Sequence, residues 1–379
     1  MKGDGGTVAF DSAIAVPVTI KRIEVGSDPW GVVVHGSNGE TGTCVGTPRL
    51  PDVFSLFARR VVPFFVGRDA REIESLVDVV YRWRTNYKYD SMPFWCGVAH
   101  VELAVLDLLG RSSGKSVGDL FGGRRRDRIS VYLSSLRRDT TPEEEVATVA
   151  QRLEATGARA CKVKIGGRMS ENADAAPGRT EGLVRLIRER LAPGTKVFAD
   201  ANSSYTPERA IEIGRMLEDY RVDLFEEPVP WLDFVGTKRV ADALEIPVAA
   251  CEQDYDLWKI GWFAREHGVD VIQPDVFYVG GLIRAMRAAA LAAEHGIPVM
   301  PHSPHTDATA APMLHLVSLI PNADEFHEFR IDHPTPAGGY GPGLAVTDGE
   351  VEVPSGPGLG IDVDIAWLGT RELALEATV

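Results

Sequence analysis

A chain of 379 residues suffices for one large domain or two modest ones, and with 44% apolar and 25% charged residues it has the make-up of a soluble globular protein with a sizeable core. No uninterrupted apolar run approaches the roughly 20 residues needed to cross a bilayer, so no membrane partner is expected. A net charge of −14 excludes a general nucleic-acid binder, which needs a basic face. The Gly-rich opening Met1–Thr7 has no basic segment leading into an apolar one, so no secretory signal is expected. Cys44, Cys96, Cys161 and Cys251 are scattered without finger spacing and read as buried, reduced thiols of a cytoplasmic protein. The basic run Arg124–Arg128 reads as a solvated connector. The overall field of an acidic protein does not steer an acidic ligand, so a small anion needs a local cation, which points to a bound metal.

Along the chain, Trp30–His35 reads as a strand entering a hairpin, with Asn38-Gly39 as the turn pair. Helical periodicity follows in Glu72–Arg84 and Gly97–Arg111, where Val98, Val101, Val105, Leu108 and Leu109 recur on one side. Residues 1–125 therefore form an α+β unit. Residues 126–333 alternate short strands with amphipathic helices. The expected strands are Ile129–Leu133, Ala160–Ile165, Lys196–Asp200, Asp223–Glu226, Pro247–Glu252, Val269–Pro274, Ile297–Pro301 and Asp324–Glu328. Helices are expected over Glu143–Ala155, Thr180–Arg190, Pro207–Tyr220, Asp233–Leu244, Leu257–His267, Leu282–His295 and Ala308–Leu319. Eight strands joined by seven helices predict an α/β fold of the (β/α)7β TIM-barrel type. An open doubly wound sheet would call for a Gly-rich phosphate turn after its first strand, and none is present. Residues 334–379 are Gly/Pro-rich at first and read as irregular structure returning to the N-terminal unit.

In such a barrel the C-terminal strand ends converge on one face, where activity sits. Asp200, Glu226 and Glu252 end consecutive strands at steps of 26 residues. Any one of them alone would read as a helix cap or an ion-paired carboxylate. Three together repel one another unless a hard divalent cation neutralises them, and Mg²⁺ suits such a set because it leaves positions for water and substrate oxygens. Lys162 and Lys164 alternate to the same, inward side of the second strand. Neighbouring cations would depress a lysine pKa and make it a base near neutrality, so Lys162 is placed to hold a substrate carboxylate and Lys164 to move a proton. His302 follows strand seven. A lone histidine is more often structural, but Asp275 after strand six can orient this ring and stabilise its protonated form. Lys164 and His302 then face a bound substrate from opposite sides.

At these residues the chain resembles the enolase superfamily, and within it the mandelate racemase/muconate lactonizing enzyme group. The motifs are His100–Gly110 with Leu120-Phe121-Gly122-Gly123, Lys162-Val163-Lys164, Asp200-Ala201-Asn202, Phe225-Glu226-Glu227-Pro228, Cys251-Glu252, Ile272-Gln273-Pro274-Asp275 with Gly280-Gly281, and Pro301-His302. The resemblance implies metal ligation by Asp200, Glu226 and Glu252, with Glu226 preferred to its neighbour Glu227. Strand alternation would send those two to opposite sides. It implies Lys164 as one base and His302 with Asp275 as the other, and it sets Lys162, Asn202 and Glu328 beside the substrate. Residues 1–125 become a capping domain that serves as substrate lid. Sites of this kind use a Lys or His base with Mg²⁺. The implied reaction removes the proton α to the carboxylate of an acid sugar through an enediolate. Dehydration to a 2-keto-3-deoxy acid leads, a racemase or epimerase and a sugar-lactone cycloisomerase are alternatives, and a homo-oligomer is expected. A catalytically silent binding barrel would be expected to have lost a base or a ligand, and none is lost here.

Overall fold

The computed structural model describes residues 10–11, 14–27, 29–331 and 338–377. The opening Met1–Thr7 and residues 334–337 of the Gly/Pro-rich tail lie outside the described residues. The N-terminal unit begins with three antiparallel strands, β1 (Ile20–Ser27), β2 (Gly31–Gly36) and β3 (Thr41–Val45). The β2–β3 turn is the expected one, with Gly39 at φ 89°, a conformation that costs glycine little. Helices over Ile73–Val80 and Met92–Ser113 follow, the second longer than the periodicity of 97–111 indicates.

The following strands are β4 (Arg128–Ser134), β5 (Ala160–Lys164), β6 (Lys196–Asp200), β7 (Leu224–Glu226), β8 (Val248–Ala250), β9 (Val271–Ile272) and β10 (His327–Arg330). They pair in parallel in the order β10-β4-β5-β6-β7-β8-β9, giving a curled parallel sheet. Isolated bridges continue it from Ile272 to Val299 and from Val299 to Ala323. Ile297–Pro301 was expected to be a full strand, but only Val299 bridges both neighbours. Pro298 and Pro301 lack N–H groups, so the ladder there rests on Val299 and Met300 as donors, to Asn322 O (2.8 Å) and Ile272 O (3.0 Å). β8 is likewise shorter than Pro247–Glu252, because Pro247 donates nothing and Cys251 turns to φ 91°. The last strand starts at His327 rather than Asp324.

Among the described residues, seven helices of nine or more residues alternate with these strands, from Pro142–Thr156 to Ala311–Leu319, within one or two residues of expectation at most ends. Local chemistry sets their starts. Thr141 and Glu144 form a capping box ahead of Pro142, and Thr206, Asp233 and Asp256 accept first-turn N–H groups. The basic run after Gly123 is no solvated connector. Arg125 and Arg126 donate to the carbonyls of Leu319, Val317 and Ile320, closing the C-terminus of the Ala311–Leu319 helix. The tail is more regular than its composition suggests. It carries β11 (Tyr340–Gly341), β12 (Glu350–Glu352), β13 (Asp362–Val363) and β14 (Thr370–Glu376). β12 lies antiparallel on β4, and β14 lies antiparallel on β1, completing the small sheet.

Inside the curl, Tyr132, Ala160, Phe198, Leu224, Ala249, Val271, Met300 and Phe326 form one buried layer, a side chain from each successive strand position. Two residues further along, on the same side of each strand, stand Lys162, Asp200, Glu226, Gln273, His302 and Glu328. The apolar layer is thus the floor of the polar one. All four cysteines are free and buried.

Met92–Ser113 is long and apolar enough by composition to cross a membrane, although Glu102, Asp107 and Arg111 interrupt it, but 89% of its apolar window is buried within the protein. Glu102 accepts the N–H groups of Leu282 (3.2 Å) and Ile283 (2.8 Å), the first turn of another helix. Asp107 accepts from Thr43 N, Leu359 N and Arg111 Nε, each at 2.8 Å. One helix therefore ties the small sheet, the curled sheet's outer helices and the tail together. Its contact with β3 leaves no space. A Cβ at Gly42 would lie 2.1 Å from Ala104 O and 2.2 Å from Leu108 N, both backbone. Gly42→Ala should therefore destabilise the protein by about 1–3 kcal/mol, read as a lowered denaturation midpoint. An unchanged midpoint would contradict this packing.

Candidate active site

Each polar group at the C-terminal strand ends is held by identifiable partners. Asp200, Glu226 and Glu252 are buried, and each offers an oxygen within 4.8 Å of the others. Glu226 Oε1 accepts from Lys162 Nζ (2.7 Å) and its Oε2 from Gln273 Nε2 (2.8 Å). Asp200 pairs with Lys164 Nζ, and its Oδ1 accepts from Asn202 N (2.9 Å). Lys162 Nζ also reaches Glu328 Oε1 (3.0 Å), whose Oε2 accepts from Ser303 N (2.8 Å).

This balance moves the titrations apart. Burial pushes the Glu226 carboxyl up, Asp200 adds to it, and the result is about 8 despite the lysines. At Asp200 and Glu328 burial works the other way to the lysines and loses. Asp200 is held well below the carboxylate range by Lys164 and Lys162, and Glu328 falls to about 2 through Lys162 and His302. Lys162 is not tuned as a base. Burial does oppose its charge, but Glu226 and Glu328 hold the ammonium well above its ordinary value. It is fully buried, whereas Lys164 lines a cavity of about 230 Å³ with Asn202, Glu252 and His302.

Asp275 caps the short helix Val276–Val279. Its Oδ1 accepts from Phe277 N (2.7 Å) and Tyr278 N (3.1 Å), and its Oδ2 meets His302 Nδ1 at 2.8 Å. The far nitrogen, Nε2, stands 3.4 Å from Glu252 Oε2. Burial disfavours the imidazolium, yet Glu252 and Asp275 outweigh it and raise His302 to about 10. Lys164 thus meets the carboxylate triad at its Asp200 end and His302 at its Glu252 end.

Alternation does not separate Glu226 from Glu227. Glu227 turns to φ 42° as the strand ends, stays buried, and lies 3.5 Å from Asn202 Nδ2 beside the triad. The geometry nonetheless groups Glu226, not Glu227, with Asp200 and Glu252. Hard oxygen donors, with Glu252 Oε2 and Glu227 Oε1 buried and without hydrogen-bond partners, fit a divalent cation such as Mg²⁺.

Several residues of the site carry no role in the sequence reading. Gln273 lies within a quoted motif and stands two residues beyond the floor residue Val271, which is the signal that would have found it. Arg138 and Arg168, in the loops after β4 and β5, and Arg49 from the N-terminal unit also line the cavity. Surface arginines in loops have no periodicity to mark them.

The family model described as Enolase C-terminal domain-like matches residues 144–367, and the chain belongs to that family. Among its relatives is the D-galactarolactone cycloisomerase of Agrobacterium fabrum, 28% identical over 335 residues that span 85% of each chain. Another is the arabinonate dehydratase of Saccharolobus solfataricus, 29% identical across 79% of this chain and 78% of that one. The solved structure of a mandelate racemase/muconate lactonizing protein from Paracoccus denitrificans, complexed with magnesium, superposes with a TM-score of 0.85. It is 28% identical and spans 95% of this chain and 98% of its own.

The raised His302 pKa has a consequence for stability. A folded value near 10 against an ordinary 6.5 contributes stability that is fully present below pH 6.5 and is lost as pH rises through 10. In metal-free protein the His302 ring signal should stay that of imidazolium through pH 8 by NMR. Asp275→Asn should move the titration down by about one unit or more, since a hydrogen-bonded carboxylate is removed. A His302 signal titrating near 6.5 in the unsubstituted protein would refute the pairing.

Proposed function

We propose that the protein removes the proton α to the carboxylate of an acid sugar and expels the β-hydroxyl, yielding a 2-keto-3-deoxy acid. The observation that carries this reading is the carboxylate triad with Lys164 at one end and the His302–Asp275 pair at the other. The likeness to dehydratases supports it. On this reading the curled sheet is a closed (β/α)7β barrel over residues 126–333. Residues 1–125 cap it as a substrate lid, and 334–379 return to the cap through β14.

Asp200, Glu226 and Glu252 would hold Mg²⁺, which when bound supplies positive charge against the negative charge that develops on the substrate carboxylate. Lys164 takes the α proton on one face through its Nζ. Asp275 fixes His302 Nδ1–H and leaves Nε2 toward the cavity, so the imidazolium can protonate the departing hydroxyl. Asn202 and Glu328 orient the carboxylate. Lys162 lies deeper than Lys164, fully buried, and offsets the charge of Asp200, Glu226 and Glu328. Loss of the hydroxyl becomes effectively irreversible once the enol turns to ketone.

Asp200→Asn, Glu226→Gln and Glu252→Gln should each reduce turnover by about a thousandfold or more, and chelation should do the same reversibly. Full activity after exhaustive chelation sinks the metal assignment. In D₂O, NMR of a matched sugar acid should show the keto acid. His302→Asn should stop its formation while Lys164 still exchanges the α proton. A deuterated epimer without keto acid, from every sugar acid tried, would replace the dehydratase by an epimerase. The likeness to a galactarolactone cycloisomerase favours a second reading, loss of a lactone ring oxygen in place of the hydroxyl, which sugar lactones in the same assay would reveal.

A further inference from the structure

β5 outruns its neighbour. β4 ends at Ser134, which lies opposite Lys162, and the next residue gives the last rung between the two strands, Ser135 N to Lys162 O (3.0 Å). β5 continues to Lys164. On its other side the ladder also continues, since Ile165 N donates to Asp200 O (2.8 Å). Carbonyls two residues apart on a strand face the same way, so Lys164 O points to the side that β4 has left. Lys164 is buried, and a buried carbonyl without a strand beside it needs another donor.

Arg179 supplies it. This residue opens the helix Arg179–Arg190 and is buried, and its Nη1 donates to Lys164 O (2.9 Å). The rest of the guanidinium is occupied on the loop that follows β4. Nε donates to Thr140 O (2.8 Å), and Nη2 to Thr140 Oγ1 (3.2 Å) and, at greater length, to Arg137 O (3.4 Å). One side chain thus replaces the missing rung and fastens the departed chain back against β5. Its neighbour Thr180 completes the hold, accepting from Gly166 N (3.0 Å) and donating to Asp174 Oδ1 (2.8 Å).

Arginine is a costly choice at this position. A helix start disfavours a cation, and a buried guanidinium is expensive unless it is paired. Arg179 has no ion pair among the described residues. Burial pushes its pKa down, while Glu145 and Asp174 oppose that from a distance. Glu145 is itself buried, accepts from Thr140 Oγ1 (2.8 Å) and keeps its Oε1 without a hydrogen bond. An apolar side chain would fill the same gap without these costs. What arginine adds is a rigid fork of donors that reaches both chains at once.

We propose that Arg179 is a positioning residue for Lys164. By holding the last carbonyl of β5 it fixes the peptide from which the Lys164 side chain springs, and with it the line along which Nζ approaches the α carbon. Arg179 itself does not line the cavity. The inference rests on the reading of Lys164 as the base.

The test uses full-length protein and two readouts. Labelling with ¹³C-carbonyl lysine and ¹⁵N-isoleucine selects Lys-Ile steps, of which the chain has two, Lys164-Ile165 and Lys259-Ile260. Arg179→Met should move the Lys164 carbonyl signal upfield, as loss of a hydrogen bond does, and leave the Lys259 signal as an internal reference. The second readout is α-proton exchange by NMR in D₂O with Mg²⁺ and D-gluconate, D-galactonate and L-arabinonate as probes. On the fastest of these, Arg179→Met should lower kcat about tenfold or more with KM held within about threefold, because a misplaced group that binds no substrate affects the chemical step. Arg179→Lys, which keeps the charge and one donor, should lose less, and it carries the test where Arg179→Met does not fold. Thermal melts correct each rate to the folded fraction, so a merely structural role leaves kcat per folded molecule unchanged. That result, a raised KM at constant kcat, or an unmoved Lys164 carbonyl overturns the proposal. The two readings fail separately. Exchange unaffected by either substitution leaves Lys164 as the base and removes its positioning by Arg179. A shifted Lys164 carbonyl without exchange from any probe removes the base, and the positioning role with it, while the tie to β5 stands.

Discussion

The mutual repulsion of carboxylates packed at the strand ends governs the rest of this structure. Asp200, Glu226 and Glu252, with Glu328 and Glu227 close by, are buried where water cannot screen them. Two ammonium groups rising from β5 make this tolerable, one locked between Glu226 and Glu328 and one against Asp200. The compensation is incomplete by design. A carboxyl pushed up to about 8 at Glu226 and oxygens without hydrogen bonds on Glu252 and Glu227 mark a cluster short of positive charge. That shortage accounts for the raised His302 pKa and suits the site to a cation.

Position follows from the floor beneath. Because side chains on a strand repeat every second residue, a ring of apolar residues one step down aims the polar ring at the open end. β8 is the exception that shows the rule. Its floor residue Ala249 would place Cys251 at the site, and the left-handed turn at Cys251 advances the chain so that Glu252 arrives instead. Glu227 uses a similar turn to stay beside the triad. Asn202 takes a positive φ there as well, so three of the strand ends beside the acidic groups use this backbone conformation.

The sequence carried most of this because strand alternation and helix periodicity are local. Lys162 with Lys164, and the even steps from Asp200 to Glu252, are visible without coordinates. Features set by distant partners were not. The fate of Lys162 depends on Glu328, far along the chain, which with Glu226 raises its pKa against the effect of burial. The reduced seventh strand follows from two prolines whose lost donors were not counted. β14 was masked by the Gly/Pro-rich composition before it, and the arginines of the cavity belong to loops, where no period exists to read.

The pairing of β1 with β14 reaches beyond the finished structure. Ile23 lies opposite Leu375, so β1 waits for a strand made long after it. Until then one edge of β1 offers unpaired backbone groups to any neighbouring chain, and Leu359 is not yet there to occupy Asp107. The long-range contact makes completion of the small sheet wait until β14 has been made. The exposed edge of β1 thus belongs to a part of the chain that contains none of the acidic triad, so the order of synthesis bears on the small sheet and not on the site.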